Sequence, residues 1–331
     1  MRQRLALLKT WLADVLETPA FDLAPASSDA SFRRYFRVRH GDRSLIVMDA
    51  PPAQEDTAPF VHLAERLRAA GLNTPRILAK NIAQGFLLLS DLGDTPYLQV
   101  LTEASAGQLY GDALSALLRM QQMGDRWLTD LPPYDHALLM QEMHLFRDWY
   151  LQRHRQQALS PPQARLLDEV FGRLASSVLD QPRVFVHRDY HSRNLMFTPQ
   201  DNPGIIDFQD AVLGPVTYDL VSLLRDCYIR WPRARVEAWA LDYLREAQAA
   251  GIVTDVADET WLCWFDWMGV QRHLKAAGIF ARLDLRDGKP GYLGDIPRTL
   301  GYVREVAGRY AELRPLLDFL PAEAAAAGGA A

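Results

Sequence analysis

The stretch HRDYHSRN, residues 187–194, decides which fold and which kind of site this chain can have. If the stretch were a strand, the alternating His187, Asp189 and His191 would lie on one side and could hold a metal ion such as zinc. If it is a loop, Asp189 is a carboxylate followed five residues later by Asn194, whose amide oxygen could hold Mg²⁺. The neighbouring sequence distinguishes the two interpretations.

The residues after the stretch favour the loop. The strand-like runs LMF (195–197) and GII (204–206) are separated by the turn-forming TPQDNPG, and the second run ends at Asp207. A hairpin of this shape returns Asp207 close to Asn194, so that two oxygen ligands meet at one point. Phe208 and Gln209 follow Asp207.

The order H-R-D-x-x-x-x-N followed by a further aspartate is typical of enzymes that transfer a phosphoryl group. In this interpretation Asp189 accepts the proton of a substrate hydroxyl, and Asn194 and Asp207 hold Mg²⁺. His187 is assigned a structural role. Asp219, close to a helix start, is expected to anchor the loop by hydrogen bonds, with simple helix capping as the alternative.

The rest of the chain predicts an α+β protein with two lobes. Residues 1–93 are expected to form a small, antiparallel β-rich lobe that binds a nucleotide. Strands are predicted at 32–38 and 45–48 and on either side of a turn at 81–85, with helices at the N-terminus and over 57–70, whereas APASSDAS (24–31) is predicted to be a loop.

The second predicted lobe, residues 94–320, is mostly helical and carries the catalytic loop, and 321–331 is expected to be a flexible tail. Helical periodicity or length indicates helices at 105–123, 137–157, 162–179, 217–229, 233–250, 257–277 and 297–315.

Composition excludes several classes of protein. The 331 residues carry a net charge of −5, which disfavours nucleic acid or an anionic membrane as partner. No apolar run approaches the roughly 18 residues that a membrane span needs. The two cysteines, Cys227 and Cys263, fit a reducing cytoplasm.

These motifs and their layout resemble the aminoglycoside phosphotransferase and choline kinase superfamily, small-molecule kinases that share the protein-kinase fold. More narrowly, the sequence is similar to bacterial anomeric kinases of N-acetylmuramate and N-acetylglucosamine in SDASFRRYFRV, LIVMDAPP, FLLLSDLGD, LFRDWYL, IDFQDAVLGPVTYDLVSLLRDCY and AAGIFARLDLRDGKPGYL. This resemblance implies ATP and Mg²⁺ as cofactors, an amino-sugar substrate phosphorylated on its C1 hydroxyl, and a role in peptidoglycan recycling.

The nucleotide side departs from the kinase pattern. The expected loop, containing Ser28, Asp29 and Ser31, has no glycine, and the strand SLIVMDAPP lacks the usual lysine. Only four of the 36 basic residues are lysines. Arg33 and Arg34 are therefore the candidate cations for the phosphates.

The partner of that cation is predicted to be Glu55 or Glu65. The adenine is expected against the connection that contains Ser90, Asp91 and Leu92.

Two alternatives to the sugar kinase remain. One is an aminoglycoside or other small-alcohol phosphotransferase of the same fold. The other is a pseudokinase that only binds nucleotide, which the missing lysine favours. Against the pseudokinase, Asp189, Asn194 and Asp207 are all present.

The acceptor site is predicted from charge and from the resemblance. Residues 271–298 carry six basic against three acidic residues, which suits an acidic sugar if this segment borders the site and is otherwise a basic surface. The candidate substrate contacts are Glu142, Arg147, Tyr150, His191, Asp210 and Arg272.

Overall fold

The computed structural model describes residues 2–27 and 32–321 of the chain. In chain order its elements are α1 (Arg2–Val15), β1 (Asp22–Ser27), β2 (Arg34–His40), β3 (Arg43–Asp49), α2 (Ala58–Ala69), β4 (Ile77–Asn81), β5 (Phe86–Ser90), α3 (Tyr97–Val100), α4 (Ala106–Gln121), α5 (Asp125–Leu128), α6 (His136–Leu145), a π-helical segment (Phe146–His154), α7 (Pro161–Leu179), β6 (Arg183–Val186), β7 (Leu195–Met196), β8 (Gly204–Ile205), β9 (Val212–Pro215), α8 (Tyr218–Leu224), α9 (Arg233–Ala249), α10 (Asp258–Asp287), a 3₁₀ segment (Pro290–Asp295), α11 (Ile296–Ala307) and a second 3₁₀ segment (Ala311–Phe319).

Packing divides the described chain into two compact units. The first contains residues of Met1–Met123 and Ser192–Asp210, and the second contains residues of Gly124–His191 and Ala211–Ala331. The catalytic loop is therefore shared, because its first five residues belong to the second unit and its last three to the first. The predicted lobe limits at residues 93 and 320 stay predictions, and residues 322–331 of the predicted tail lie outside the described residues.

An antiparallel five-stranded sheet, in the order β1-β2-β3-β5-β4, organises the first unit. The two predicted strand pairs are present, with Gly41 and Gly85 in their turns at positive φ. At Gly85 a side chain is impossible, because a Cβ would lie 1.8 Å from the carbonyl oxygen of Ala50.

Strand β1 was not predicted, and assigning Ala24–Ser27 to a loop was wrong. Pro25 is tolerated because β1 is an edge strand and its register with β2 is irregular at this point.

Helices complete the core of the first unit. Leu8 and Leu12 of α1 pack on Val38, Val47 and Phe86 of the sheet. The predicted helix over 57–70 corresponds to α2, which ends before Gly71 at φ +78°.

Helices dominate the second unit, and the 30-residue α10 runs through its centre against α6, α7, α8 and α11. The helix continues to Asp287, ten residues beyond its predicted end, and stops at Gly288 in the left-handed conformation. α8 ends at Leu224, earlier than predicted. The antiparallel sheet of the first unit and the helical second unit confirm the predicted α+β class.

The helix predicted over 137–157 is present as α6 and the π-helical segment after it, but the π-helical geometry was not predicted. The segment packs closely on α10 at Gly278, where a Cβ would lie 2.3 Å from the backbone carbon of Leu145. Within residues 2–27 and 32–321, no helix is both long and apolar enough to cross a membrane.

Candidate active site

The hairpin of β7 and β8 brings Asn194 and Asp207 together in the first unit. Leu195 pairs with Ile205, and the carbonyl of Asn194 accepts a hydrogen bond of 3.1 Å from the Ile206 N–H. The Asn194 amide then lies 3.3 Å from the Asp207 carboxylate, as the sequence predicted. Asp207 has φ +66°, a strained conformation for a residue with a side chain.

Gln209, which stands where the kinase pattern has glycine, connects two carboxylates. Its Nε2 donates to Asp207 Oδ1 at 2.8 Å and to Asp210 Oδ2 at 3.2 Å. Its Oε1 is buried and has no hydrogen-bond partner in the described structure. The site therefore offers amide and carboxylate oxygens, the donor set that a hard cation such as Mg²⁺ prefers, and the residues present fit that ion.

The alternative metal site has no geometric support. The Nδ1 of His187 faces the Asp189 backbone N–H at 3.3 Å, and the ring of His191 packs edge-on against Tyr228. Among the described residues, no three His, Cys, Asp or Glu side chains gather into a group that could hold a metal.

A cavity of about 480 Å³ opens beside Asn194 and Asp207 within the first unit. Ile46 and Leu89 line it from the sheet, and Met196 and Ile206 line it from the hairpin. Asn194 and Asp207 are part of its polar lining. Apolar walls with a few polar groups are the usual features of a site for a planar cofactor ring.

Ser90, Asp91 and Leu92, which were predicted to contact the adenine, also line this cavity, and that role stays a prediction. The Asp91 carboxylate is already engaged by Arg37 at 2.7 Å and by Ser44 at 2.5 Å. Burial raises the pKa of Asp91, but these hydrogen bonds outweigh it and hold the pKa below its usual value. The Asp91 carboxylate is therefore already bound by neighbouring groups of the first unit.

The two candidate arginines are bound differently. Arg34 pairs with the buried Asp49, which also accepts a hydrogen bond of 2.6 Å from Arg4. Arg33 pairs with Glu55 at 3.0 Å.

The surroundings of Arg33 are acidic. Burial lowers its pKa, but Tyr35, Glu55, Asp210 and Asp207 together raise the pKa above its usual value. The charges of Asp207 and Asp210 therefore act on this guanidinium.

The other candidates on the nucleotide side differ from Glu55. Glu65 is exposed and lies 3.6 Å from Lys80, so Glu55 is the glutamate paired with a candidate cation. Ser28, Asp29 and Ser31 lie outside the described residues.

In the second unit, Asp219 anchors the catalytic loop. Its buried carboxylate accepts hydrogen bonds from the backbone N–H groups of His187, at 2.6 Å, and Arg188, at 3.0 Å. Burial raises the pKa of Asp219 to about 7, although the two N–H groups oppose this rise. The contacts are those of a loop anchor, and the alternative of a simple helix cap does not describe them.

The half-buried Asp189 is held ionised. Burial alone would raise its pKa, but Lys275, His191, His187 and Arg272 more than offset this, and the pKa is lowered. An ionised carboxylate is the form that can accept a proton from a hydroxyl group.

Glu142 binds several side chains of the second unit. Its Oε1 accepts from Arg188 at 2.5 Å and from Lys275 at 2.9 Å, and its Oε2 accepts from the Tyr134 hydroxyl. The side chain is only 5% exposed. Its predicted contact with substrate is not supported by this geometry, because both oxygens already bind groups that position the catalytic loop and α10.

Arg272 is buried and lies in the same charged region. Its NH1 faces the sulfur of Cys227 at 3.6 Å, and its Nε has no partner among the described residues. Burial lowers its pKa, but Cys227, Tyr218, Asp226 and Asp189 together raise it.

Each of the remaining substrate candidates has contacts within its own unit. Arg147 is bound to Asp168 at 3.1 Å, and Tyr150 is buried in a stack with Phe146. Asp210 belongs to the first unit and is bound to Gln209. Their substrate roles stay predictions.

Three residues of the site were not singled out from the sequence. Arg37 lines the cavity and holds Asp91, and strand alternation from Tyr35 could have indicated it. Lys275 lies one helical turn after Arg272 and faces Asp189, a spacing visible in the sequence. The contacts of Gln209 depend on the folded turn and gave no sequence signal.

Comparison with known proteins agrees with this geometry. Residues 22–261 match the model of the phosphotransferase enzyme family. The chain is 51% identical, over 92% of its length and 89% of the relative, to the N-acetylmuramate/N-acetylglucosamine kinase of Pseudomonas aeruginosa. It is 42% identical to the protein of the same name from Neisseria meningitidis, over 96% of this chain and 95% of the relative.

Solved structures share the fold at low identity. ADP-bound aminoglycoside phosphotransferase APH(2'')-Ib has a TM-score of 0.61 at 14% identity, covering 91% of this chain and 98% of that one. Choline kinase LicA from Streptococcus pneumoniae has a TM-score of 0.62 at 13% identity, covering 92% of this chain and 98% of that one. With its catalytic-loop residues, its hairpin and the match over most of its length, the chain belongs to the phosphotransferase enzyme family and is a kinase.

Proposed function

We propose that the protein uses ATP and Mg²⁺ to phosphorylate the anomeric hydroxyl of N-acetylmuramate and N-acetylglucosamine. The product is a sugar 1-phosphate, and we assign the reaction to peptidoglycan recycling in the cytoplasm. The observation that carries the proposal is the pair Asn194 and Asp207 on a cavity with apolar walls, in a chain 51% identical to a kinase named for these sugars.

The first unit binds the nucleotide in this proposal. The adenine occupies the cavity against the backbone of Ser90, Asp91 and Leu92, and Arg33 contacts the phosphates. Asn194 and Asp207 would hold Mg²⁺, which neutralises charge that develops on the transferred phosphoryl group.

The second unit binds the sugar and provides the base. Asp189 orients the C1 hydroxyl and accepts its proton as the bond from that oxygen to the γ-phosphorus forms and the bond to the leaving ADP oxygen breaks. Asp219 and Glu142 fix the loop that carries Asp189. Most of the acceleration then comes from positioning and from electrostatic stabilisation.

Arg272 is the proposed contact for the carboxylate of N-acetylmuramate. Its guanidinium is buried near Asp189, and its Nε has no other partner in the part of the chain that is described. A charged hydrogen bond to a carboxylate would satisfy that group.

The proposal is tested by ADP release from purified protein with ATP and Mg²⁺. N-acetylmuramate, N-acetylglucosamine, kanamycin and choline serve as separate acceptors, and ³¹P NMR identifies the product. We expect turnover with the two amino sugars alone and a product without a reducing end, because phosphorylation at C1 blocks it. Turnover with kanamycin or choline instead would contradict the substrate, and nucleotide binding without turnover on any acceptor would favour a pseudokinase.

A further inference from the structure

A kinase without the strand lysine needs another cation for its nucleotide. β3, which carries that lysine in the usual pattern, has none in the sequence RSLIVMD. We propose that Arg33 takes over this role and that Glu55 is the positioning residue that holds it. This inference rests on the proposed function and concerns residues of the first unit only.

The contacts of Glu55 are suited to positioning. Its Oε2 accepts from Arg33 Nε at 3.0 Å, and its Oε1 accepts from the backbone N–H of Phe32 at 3.2 Å. One carboxylate therefore fixes both a side chain and the backbone just before β2. These two contacts together fix the direction in which the guanidinium N–H groups of Arg33 point.

Burial indicates that the pair is more than a surface contact. The side chains of Arg33 and Glu55 are only 11% and 12% exposed. Removing two charges from water costs several kcal/mol per ion, so a buried pair contributes little net stability. The pair is therefore better explained by a positioning role than by stability.

The acidic surroundings of Arg33 are suited to a cation that binds the phosphates of a nucleotide. Asp207 and Asp210 lie close enough to raise the pKa of Arg33, so the guanidinium lies near the proposed metal-binding end of the hairpin. A guanidinium binds phosphate oxygens through two parallel hydrogen bonds, which a lysine ammonium cannot do. Both arginines are paired, but the partner of Arg34 is the buried Asp49, which Arg4 also binds.

The experiment measures binding of ADP with Mg²⁺, and of adenosine, by calorimetry. We expect Arg33→Met to weaken ADP binding about 10- to 100-fold and to leave adenosine binding within about twofold, because only ADP carries phosphates. Arg33→Lys should recover part of the loss. Glu55→Gln should weaken ADP binding by a smaller factor, again without affecting adenosine. Arg39→Met, on an exposed arginine of the following strand β2, is the matched control and should change neither affinity.

The exchanged variant Arg33→Glu with Glu55→Arg separates positioning from a structural role. It re-forms the ion pair with the cation on the other side, so it should recover thermal stability but not ADP affinity. Recovery of ADP affinity in this variant would overturn the inference, and so would equal ADP binding by Arg33→Met and wild type. If the wild-type protein bound neither ADP nor ATP, the proposed function would fail together with the inference.

Discussion

In the first unit, Asn194 and Asp207 are half-buried and line a cavity, whereas in the second unit Glu142 is buried and bound on both oxygens by neighbouring side chains. The first arrangement leaves polar groups beside space for a ligand. The second binds Arg188 and Lys275, and thereby fixes the surroundings of Asp189. The two sites therefore differ in burial and in access to a cavity, a difference that neighbouring sequence motifs alone do not reveal.

The largest expected effect concerns the stability of the second unit. Glu142→Leu leaves Arg188 and Lys275 buried without their counter-charge, so we expect a loss of about 3–5 kcal/mol in the free energy of unfolding. Denaturant unfolding measures it. Glu169→Leu, on an exposed glutamate of α7, should change the free energy by less than about 0.5 kcal/mol. An equally small change for Glu142→Leu would show that Glu142 is not needed to compensate the charges of Arg188 and Lys275.

A metal-site variant in the first unit should affect activity more than stability. Asp207→Asn removes a carboxylate charge, so we expect turnover to fall about 10²- to 10³-fold and the half-saturating Mg²⁺ concentration to rise. Steady-state kinetics over a range of Mg²⁺ concentrations tests this. Asp201→Asn, in the same hairpin, is the control and should behave like wild type. Unchanged Mg²⁺ dependence in Asp207→Asn would refute the metal assignment.

Two glycines of α10 test how closely this helix packs within the second unit. Gly278→Ala places a Cβ 2.3 Å from Leu145, so we expect a loss of about 1–3 kcal/mol. At Gly269 the nearest side-chain atom is 3.6 Å away, and alanine should be neutral or stabilise by up to about 1 kcal/mol. Thermal unfolding compares the variants, and equal effects would contradict the close contact with the π-helical segment.

The smallest effect is on pH dependence. The pKa of Asp189 is lower in the folded protein than the value of about 3.9 in the unfolded chain. Ionisation of its carboxylate therefore contributes stability above about pH 3.9, and this contribution is lost as the pH falls through the folded-state pKa. Lys275→Met removes a charge that lowers this pKa, so the acidic limb of the activity profile should move to higher pH. Lys275→Arg keeps the charge and should leave the limb in place. No movement in the methionine variant would show that Lys275 does not act on Asp189.

Local signals predicted the central features of the fold and the site. Apolar runs separated by turn residues were enough to predict the hairpin that joins Asn194 to Asp207, and glycines marked the turns of the sheet. β1 was missed because its proline and serine are typical of loops, and only pairing with β2 stabilises it. The helix over 137–157 was predicted, but its change to π-helical geometry was not, because the packing on Gly278 involves residues more than a hundred positions apart.

The residues of the candidate site differ in how far local sequence indicates them. Asp189, Asn194 and Asp207 follow a spacing that can be seen in the sequence. The partners of Glu142, and the choice of Glu55 over Glu65, depend on tertiary contacts and had no local signature.

The most direct test that the first unit binds the nucleotide and the second provides the base is to measure two properties of Asp189→Asn. These are its affinity for ADP·Mg²⁺ and its turnover of N-acetylglucosamine. We predict that the affinity stays within about threefold of wild type while turnover falls about 10²- to 10⁴-fold, because the variant loses only the group that accepts the proton. Turnover near the wild-type rate would show that Asp189 is not the base. A parallel loss of ADP affinity would show that the nucleotide and acceptor sides do not act separately.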